Sequence, residues 1–317
     1  MIRTHANEIS WHQVVLHYAR RAIPLDHLGF TMTKLSGDID INLYLTFIRP
    51  LLEYACEVWD NMSVGYCKKL EQLQLEAARI VTGLPIFTSN RIIYDEIGWE
   101  TLAERRERRK LQLFYNIQHN NAPAYLCNLI PPTIQSTAVY PLRNRNDLIY
   151  PFCRLSLTQE SFIPSTIRLW NNLNVVTRNI DSLGKFKTEL KNLKLNSKAQ
   201  VPKHYDFGNR KLNIILTQLR CSASFLNYDL NRVNIISDPS CSCGAKFEDS
   251  RHLFFYCPKY SNIRTKLFNN LNWLPDNSLL NLNTLTSGDK SLTNVENERI
   301  IKNVYEFIKE SKRFLIV

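Results

Sequence analysis

Glycine is scarce in this chain, 9 of 317 residues. A sheet-rich sandwich turns often and leans on glycine for left-handed backbone. Its shortage, with frequent Leu and Asn, favours helices joined by polar loops. Long apolar runs are missing too. No stretch approaches the ~18 residues a membrane helix needs, and the opening "MIRTHANEISWHQ" carries no apolar segment of a secretory leader. These absences predict a protein of the cytoplasm or nucleus, with no membrane partner and no disulfide framework. Several catalytic signatures are also absent: no Walker loop, no G-x-S-x-G elbow, no H-E-x-x-H helix and no Asp-Asp pair.

At 317 residues and 44% hydrophobic, the chain can bury one large core or two to three small ones. Its formal charge of +11 is unevenly placed. Residues 1–100 hold 9 basic against 12 acidic side chains, a balance of −3, and residues 101–317 hold 31 against 17, a balance of +14. Such a basic excess suits a polyanion, because Lys and Arg that neutralise phosphates release counterions. An alkaline protein with no such partner would look the same by charge alone.

Apolar spacing places helices. Ile41, Leu45, Ile48, Leu52, Cys56 and Trp59 recur at three- and four-residue steps, with Pro50 expected to kink or divide the helix. A second helix is expected over 66–82, with Leu70, Leu73, Ala77 and Ile80 on one face and Gly83 as its stop. Thr101-Leu-Ala-Glu104 is a capping-box pattern opening a third helix toward Ile117. Its "ERRERRK" stretch reads as a solvated face laced with ion pairs, Glu104–Arg108 among them, in preference to a phosphate-tracking ridge.

Prolines 123, 131, 132, 141 and 151 mark 120–158 as an irregular connection with one or two short strands around 147–157. Further helices are expected over 164–173, from Asp181 through Lys185, Lys187, Lys191 and Lys194, and over 209–221, 259–272 and 294–313. The expected organisation is helical through 1–119, a connection plus helices over 120–194, a linker at 195–208, and a helical C-terminal domain over 209–317.

That last domain contains Cys241-Ser-Cys243, then His252 and Cys257. Thiolate and imidazole are the donors Zn²⁺ selects, and four of them in one short segment can close a tetrahedral structural site. C-x-C alone is tight and weak evidence, but Gly244 follows it and gives the backbone room to fold. His252 and Cys257 lie five apart, off one face of a regular helix, so one of them should occupy an irregular turn. The competing reading is three small buried cysteines and a core histidine. The four together favour a structural Zn²⁺, with no open position for catalysis. Phe247, Phe254, Phe255, Tyr256 and Tyr260 are expected mostly to pack around a small metal-centred core, and secondarily to stack on bases. Arg251, Lys259, Arg264 and Lys266 rim the segment as candidate phosphate contacts.

These segments resemble one family. "LYLTFIRPLLEYACEVWD" followed by "KKLEQLQLEAARIVTGLP" resembles the stretch just beyond the polymerase palm in reverse transcriptases of non-LTR, LINE-like retrotransposons of jockey type. "SFIPSTIRLWNNL" with "FKTEL" is similar to their downstream segment, "CSCGAKFEDSRHLFFYCPKYSNIR" to their C-terminal cysteine-histidine zinc segment, and "NERIIKNVYEFIKESKRF" to their ending. The resemblance runs in order from about residue 40 to 314. It implies a mainly α fold, with a thumb-like helical region followed by a zinc-stabilised helical C-terminal region. It also implies RNA or an RNA/DNA duplex as partner, alongside the family's catalytic portion.

That family polymerises DNA through palm carboxylates that hold Mg²⁺, typically in a Phe/Tyr-Ala-Asp-Asp turn. Two-metal chemistry needs such paired carboxylates. Their absence here implies no polymerase activity for these residues alone, and "ISWHQ" reads as a short remnant preceding the thumb. The competing class is a domesticated or decayed protein-interaction module with no nucleic-acid role.

Overall fold

The computed structural model describes residues 41–137, 140, 144–193 and 208–314. The fold is mainly helical. Among the described residues the ten helices of six residues or more are α1 (Val64–Thr82), α2 (Asn90–Ile97), α3 (Leu102–Gln118), α4 (Phe162–Asn171), α5 (Leu183–Asn192), α6 (Arg210–Arg220), α7 (Asn227–Arg232), α8 (Ser261–Asn270), α9 (Leu282–Ser287) and α10 (Asn294–Ser311). The strands expected around 147–157 reduce, among the described residues, to one antiparallel bridge between Thr133 and Leu148. The proline-rich segment that carries Leu148 offers no continuous ladder partner, and Asn171 instead brackets the Leu148 backbone through both its N–H and C=O.

The chain divides into two compact units. The first takes in, among the described residues, 44–74 and 100–193, and the second 41–43, 75–99 and 208–314. The expected linker over 195–208 lies outside the described residues apart from Gly208. Residues 75–99 thus cluster with the C-terminal part, where sequence spacing had grouped them with the N-terminal helices.

In the first unit α3 is the central element, with α4, α5 and the short helix Cys56–Trp59 packed against it. Thr101 caps it as expected: Thr101 Oγ1 accepts from the Glu104 N–H at 3.2 Å and Glu104 returns to the Thr101 N–H at 3.0 Å. One face buries Leu111, Phe114 and Tyr115 against Ile167, Trp170 and Phe186. The rings meet in favourable offset and tilted geometries, Phe114–Trp170 at 5.3 Å and Tyr115–Phe186 at 4.6 Å.

The "ERRERRK" stretch is not the solvated face its composition suggests. Arg106 and Lys110 are buried, with side chains 4% and 7% exposed, and both reach Asp60, at 2.6 and 2.5 Å. Arg105 bonds Glu53 at 3.0 Å, and Arg108 pairs with Glu100. Glu104 is occupied by the cap, so the expected pairing with Arg108 is replaced by Glu100. Partners 46 and 52 residues away are invisible to a local pattern.

The region expected as one helix kinked at Pro50 is broken twice. Tyr44–Ile48 is a π-helical turn just before Pro50, which supplies no N–H to the preceding turn. A second break is at Ala55, whose φ of 51° is left-handed. In α1 the stop is as expected: Gly83, at φ 67°, returns its N–H to the Arg79 carbonyl at 2.7 Å. Leu70 and Ala77 are buried as expected, joined by Leu75, Ala78 and Val81, whereas Leu73 and Ile80 are only half-buried. Helix α5 begins after Ser182 with no side-chain cap, not from Asp181, and Lys194 lies outside the described residues.

In the second unit α6, α8, α9 and α10 enclose the largest core, built on Leu212, Leu216, Leu253, Phe254, Ile301 and Val304. A capping box again starts the last helix, between Thr293 and Glu296. Among the described residues no helix is long and apolar enough to cross a membrane.

Candidate metal centre

Three local devices bring the four donors together. The first is the turn at Cys241–Ala245. The Gly244 N–H reaches the Cys241 carbonyl at 2.9 Å and the Cys241 N–H reaches Ala245 at 2.9 Å, with Gly244 at φ 96°. Only glycine adopts that backbone without strain. The second is a π-helical turn, His252–Tyr256, closed by the Cys257 N–H on the His252 carbonyl at 2.8 Å. An i→i+5 bond widens the helix locally, which brings residues five apart onto the same side. This is the irregular turn that the five-residue spacing demands. The third is Pro258, which starts a new turn and lets Cys257 leave the helix in extended geometry.

The ligand atoms of Cys241, Cys243, His252 and Cys257 all lie within 4.8 Å of one another. Cys241 Sγ and Cys257 Sγ are 3.9 Å apart, and Cys243 Sγ and His252 Nε2 are 3.3 Å apart. Tetrahedral bonds of about 2.3 Å to sulfur and 2.0–2.1 Å to nitrogen place donors roughly 3.6–3.8 Å from each other. The cluster can therefore hold a metal ion. Three sulfurs and one imidazole suit a borderline-soft cation, and hard Ca²⁺ or Mg²⁺ would require oxygens. No cysteine forms a disulfide.

The donors differ electrostatically. The Ala245 N–H, with smaller help from the Cys241 and Cys257 thiols, holds the Cys243 thiol below the usual thiol range. Burial pushes the Cys257 thiol up to about 11, against the opposing Lys259 N–H. A cation must displace both protons, since the thiolate is the ligand. Three thiolates overcompensate a dication, and the Ala245 and Lys259 amides face that excess charge.

The expected phosphate contacts divide. Arg264 is committed to the Cys257 carbonyl, which makes it a brace for the loop. Lys259 donates to Ser242 Oγ at 2.7 Å, tying the two halves of the cluster together. Lys266, 61% exposed, pairs with Glu310. Arg251 lies exposed on the wall of a cavity of about 490 Å³.

Sequence reading missed the supports. Asp249 Oδ1 accepts the His252 N–H at 2.6 Å and so fixes the start of the π-turn. Glu248, buried, accepts from the Asn227 N–H at 3.0 Å and from Arg313. Acids three and four residues before a ligand histidine were a readable signal for Asp249 and Glu248. Arg313 gave none.

The metal segment is also not a small core of its own. Leu253 and Phe254 are fully inside the helical core, with Phe254 stacked on Phe307 at 5.0 Å. Phe255 packs on Phe268 at 5.9 Å and Tyr260 meets Phe307 at 6.4 Å, whereas Phe247 and Tyr256 remain exposed. No family model, no curated protein and no solved structure matches the chain.

Proposed function

We propose that this chain is a C-terminal portion of a non-LTR retrotransposon reverse transcriptase, working in the cytoplasm or nucleus. In this reading it holds RNA or an RNA/DNA template–primer duplex through phosphates, with a structural Zn²⁺ on Cys241, Cys243, His252 and Cys257. Arg251 and Lys259 would be the cations of the metal segment that meet phosphate, with Lys266 available if it leaves Glu310. The reading is supported above all by one observation. The segment that most resembles the family's zinc region is the one whose four donors converge within 4.8 Å. The sequence contains no Asp-Asp pair, so polymerase chemistry would need palm carboxylates supplied from outside residues 1–317. The zinc would set the π-turn and fix the loop, without taking part in a reaction.

Salt dependence tests the reading. Binding of a labelled RNA should weaken linearly on a log–log plot against salt, with a slope of about −0.7 per phosphate contacted on a single strand. A chain that binds no RNA at low salt would overturn it.

A protein-interaction module is the second reading, and the first unit favours it there. Its densest basic stretch is engaged by Glu53, Asp60 and Glu100 and offers little free charge to a polyanion. Under that reading the chain would bind no RNA even at low salt.

A further inference from the structure

The cavity beside the metal centre has an apolar interior and an unsatisfied polar rim. Phe255, Leu280 and Leu282 are half-buried along it, and Arg251, Tyr256 and Asn283 are exposed at its edge. Asn281 also borders it, but that amide is used up: it accepts the Thr284 N–H at 3.0 Å and donates to the Ser278 carbonyl at 2.9 Å. Arg251 and Asn283 differ, since neither side chain has a hydrogen bond or ion pair among the described residues. No carboxylate lines the space, and Arg251 is the charged residue of its lining. Tyr256 is 62% exposed, and its neighbour Phe255 is anchored on Phe268.

We infer that this cavity takes one unpaired nucleotide of an RNA strand. The inference rests on the RNA-binding reading above and gives it a specific site. The base stacks on Tyr256 over Phe255, Leu280 and Leu282. Its edge meets the Asn283 amide, which presents a donor and an acceptor together, as a base edge does. Its phosphate meets the Arg251 guanidinium. A volume of about 490 Å³ falls in the range of small-ligand clefts.

A lipid or acyl chain would satisfy the apolar floor and leave the amide without a partner. A double helix keeps its bases stacked inside and would offer the rim only phosphates, leaving the floor empty. A splayed single strand satisfies all three parts of the site.

The test is fluorescence anisotropy on the full chain with a labelled single-stranded RNA and with the same strand annealed to its RNA complement. Tyr256→Ala should weaken single-strand binding about 5- to 140-fold, the range of base–aromatic stacking, and leave duplex binding unchanged. Tyr256→Phe should retain affinity, and Asn283→Ala should lose several-fold on the single strand only. Tyr256 and Asn283 are exposed, so their variants fold. If the unchanged chain binds RNA but both alanine variants match it on the single strand, the cavity is not the site and the RNA-binding reading stands. If the unchanged chain binds no RNA at low salt, both fall together.

Discussion

Arg313 grips Glu248 through two near-parallel bonds, Nε and Nη2 to the carboxylate at 2.9 and 2.8 Å, across 65 residues of sequence. The same guanidinium donates to the Phe225 carbonyl at 3.0 Å. The end of the last helix is thereby pinned to the segment that leads into His252. Forked pairing of this kind is stronger than a single-point contact.

Arg313→Met leaves the Glu248 carboxylate buried without its cation. The expected cost is about 2–3 kcal/mol, below the ~3–5 of a fully buried pair because Arg313 is partly exposed. Urea denaturation of the two chains measures it, and an unchanged midpoint would show that the pair contributes nothing.

The same pair predicts an acid response. Burial pushes the Glu248 carboxyl up, but the Arg313 bonds, the Asn227 N–H and the Arg313 charge outweigh it and hold the group below its ordinary value. A carboxyl lowered in the folded state stabilises fully above its unfolded value and loses that contribution as pH falls through the folded one. Stability of the unchanged chain should therefore fall more steeply on acidification below the ordinary carboxylate range than that of Glu248→Gln. Parallel curves would remove Glu248 as a cause.

Asp60 neutralises two buried cations at once, Arg106 and Lys110. Asp60→Ala should cost about 3–5 kcal/mol. The exposed pair Arg91–Asp95 is the control: Arg91→Ala should stay within about 0.5 kcal/mol. Equal effects in thermal denaturation would contradict the burial argument.

Gly83 and Gly244 both hold positive φ, at 67° and 96°. A Cβ at Gly83 would overlap the Ile214 side chain, whereas one at Gly244 would meet nothing within 4 Å. Gly83→Ala should therefore destabilise by about 2–4 kcal/mol and Gly244→Ala by only ~1. Reversal of that order would show that the packing at Ile214 yields easily.

Elemental analysis should find about one zinc per chain, lost in Cys243→Ser. Metal content that survives the substitution would disprove the ligand set. Chelation should speed hydrogen exchange at the Leu253 and Phe254 amides, because the π-turn that carries them loses its anchor.

Much of this was readable locally. Helices α1, α3 and α10 follow from spacing, as do the Thr101 capping box and the Gly83 stop, and the four donors follow from residue type. The failures share one cause, which is that distant residues decide the outcome. "ERRERRK" looked solvated because Glu53 and Asp60 are far away in sequence. The grouping of 75–99 with the C-terminal part depends on packing by Ala223 and Cys221, which carry no periodic signal in that stretch.

One five-residue turn supplies a donor to the cluster and two walls to the neighbouring cavity, since it begins at His252, ends at Tyr256 and follows Arg251 directly. Two binding events that share a backbone segment cannot be thermodynamically independent when each depends on that segment's shape. Saturating the sulfurs should tighten whatever enters beside Tyr256, and a guest there should raise the affinity for the ion by the same factor. A cell short of metal would then release the guest as well.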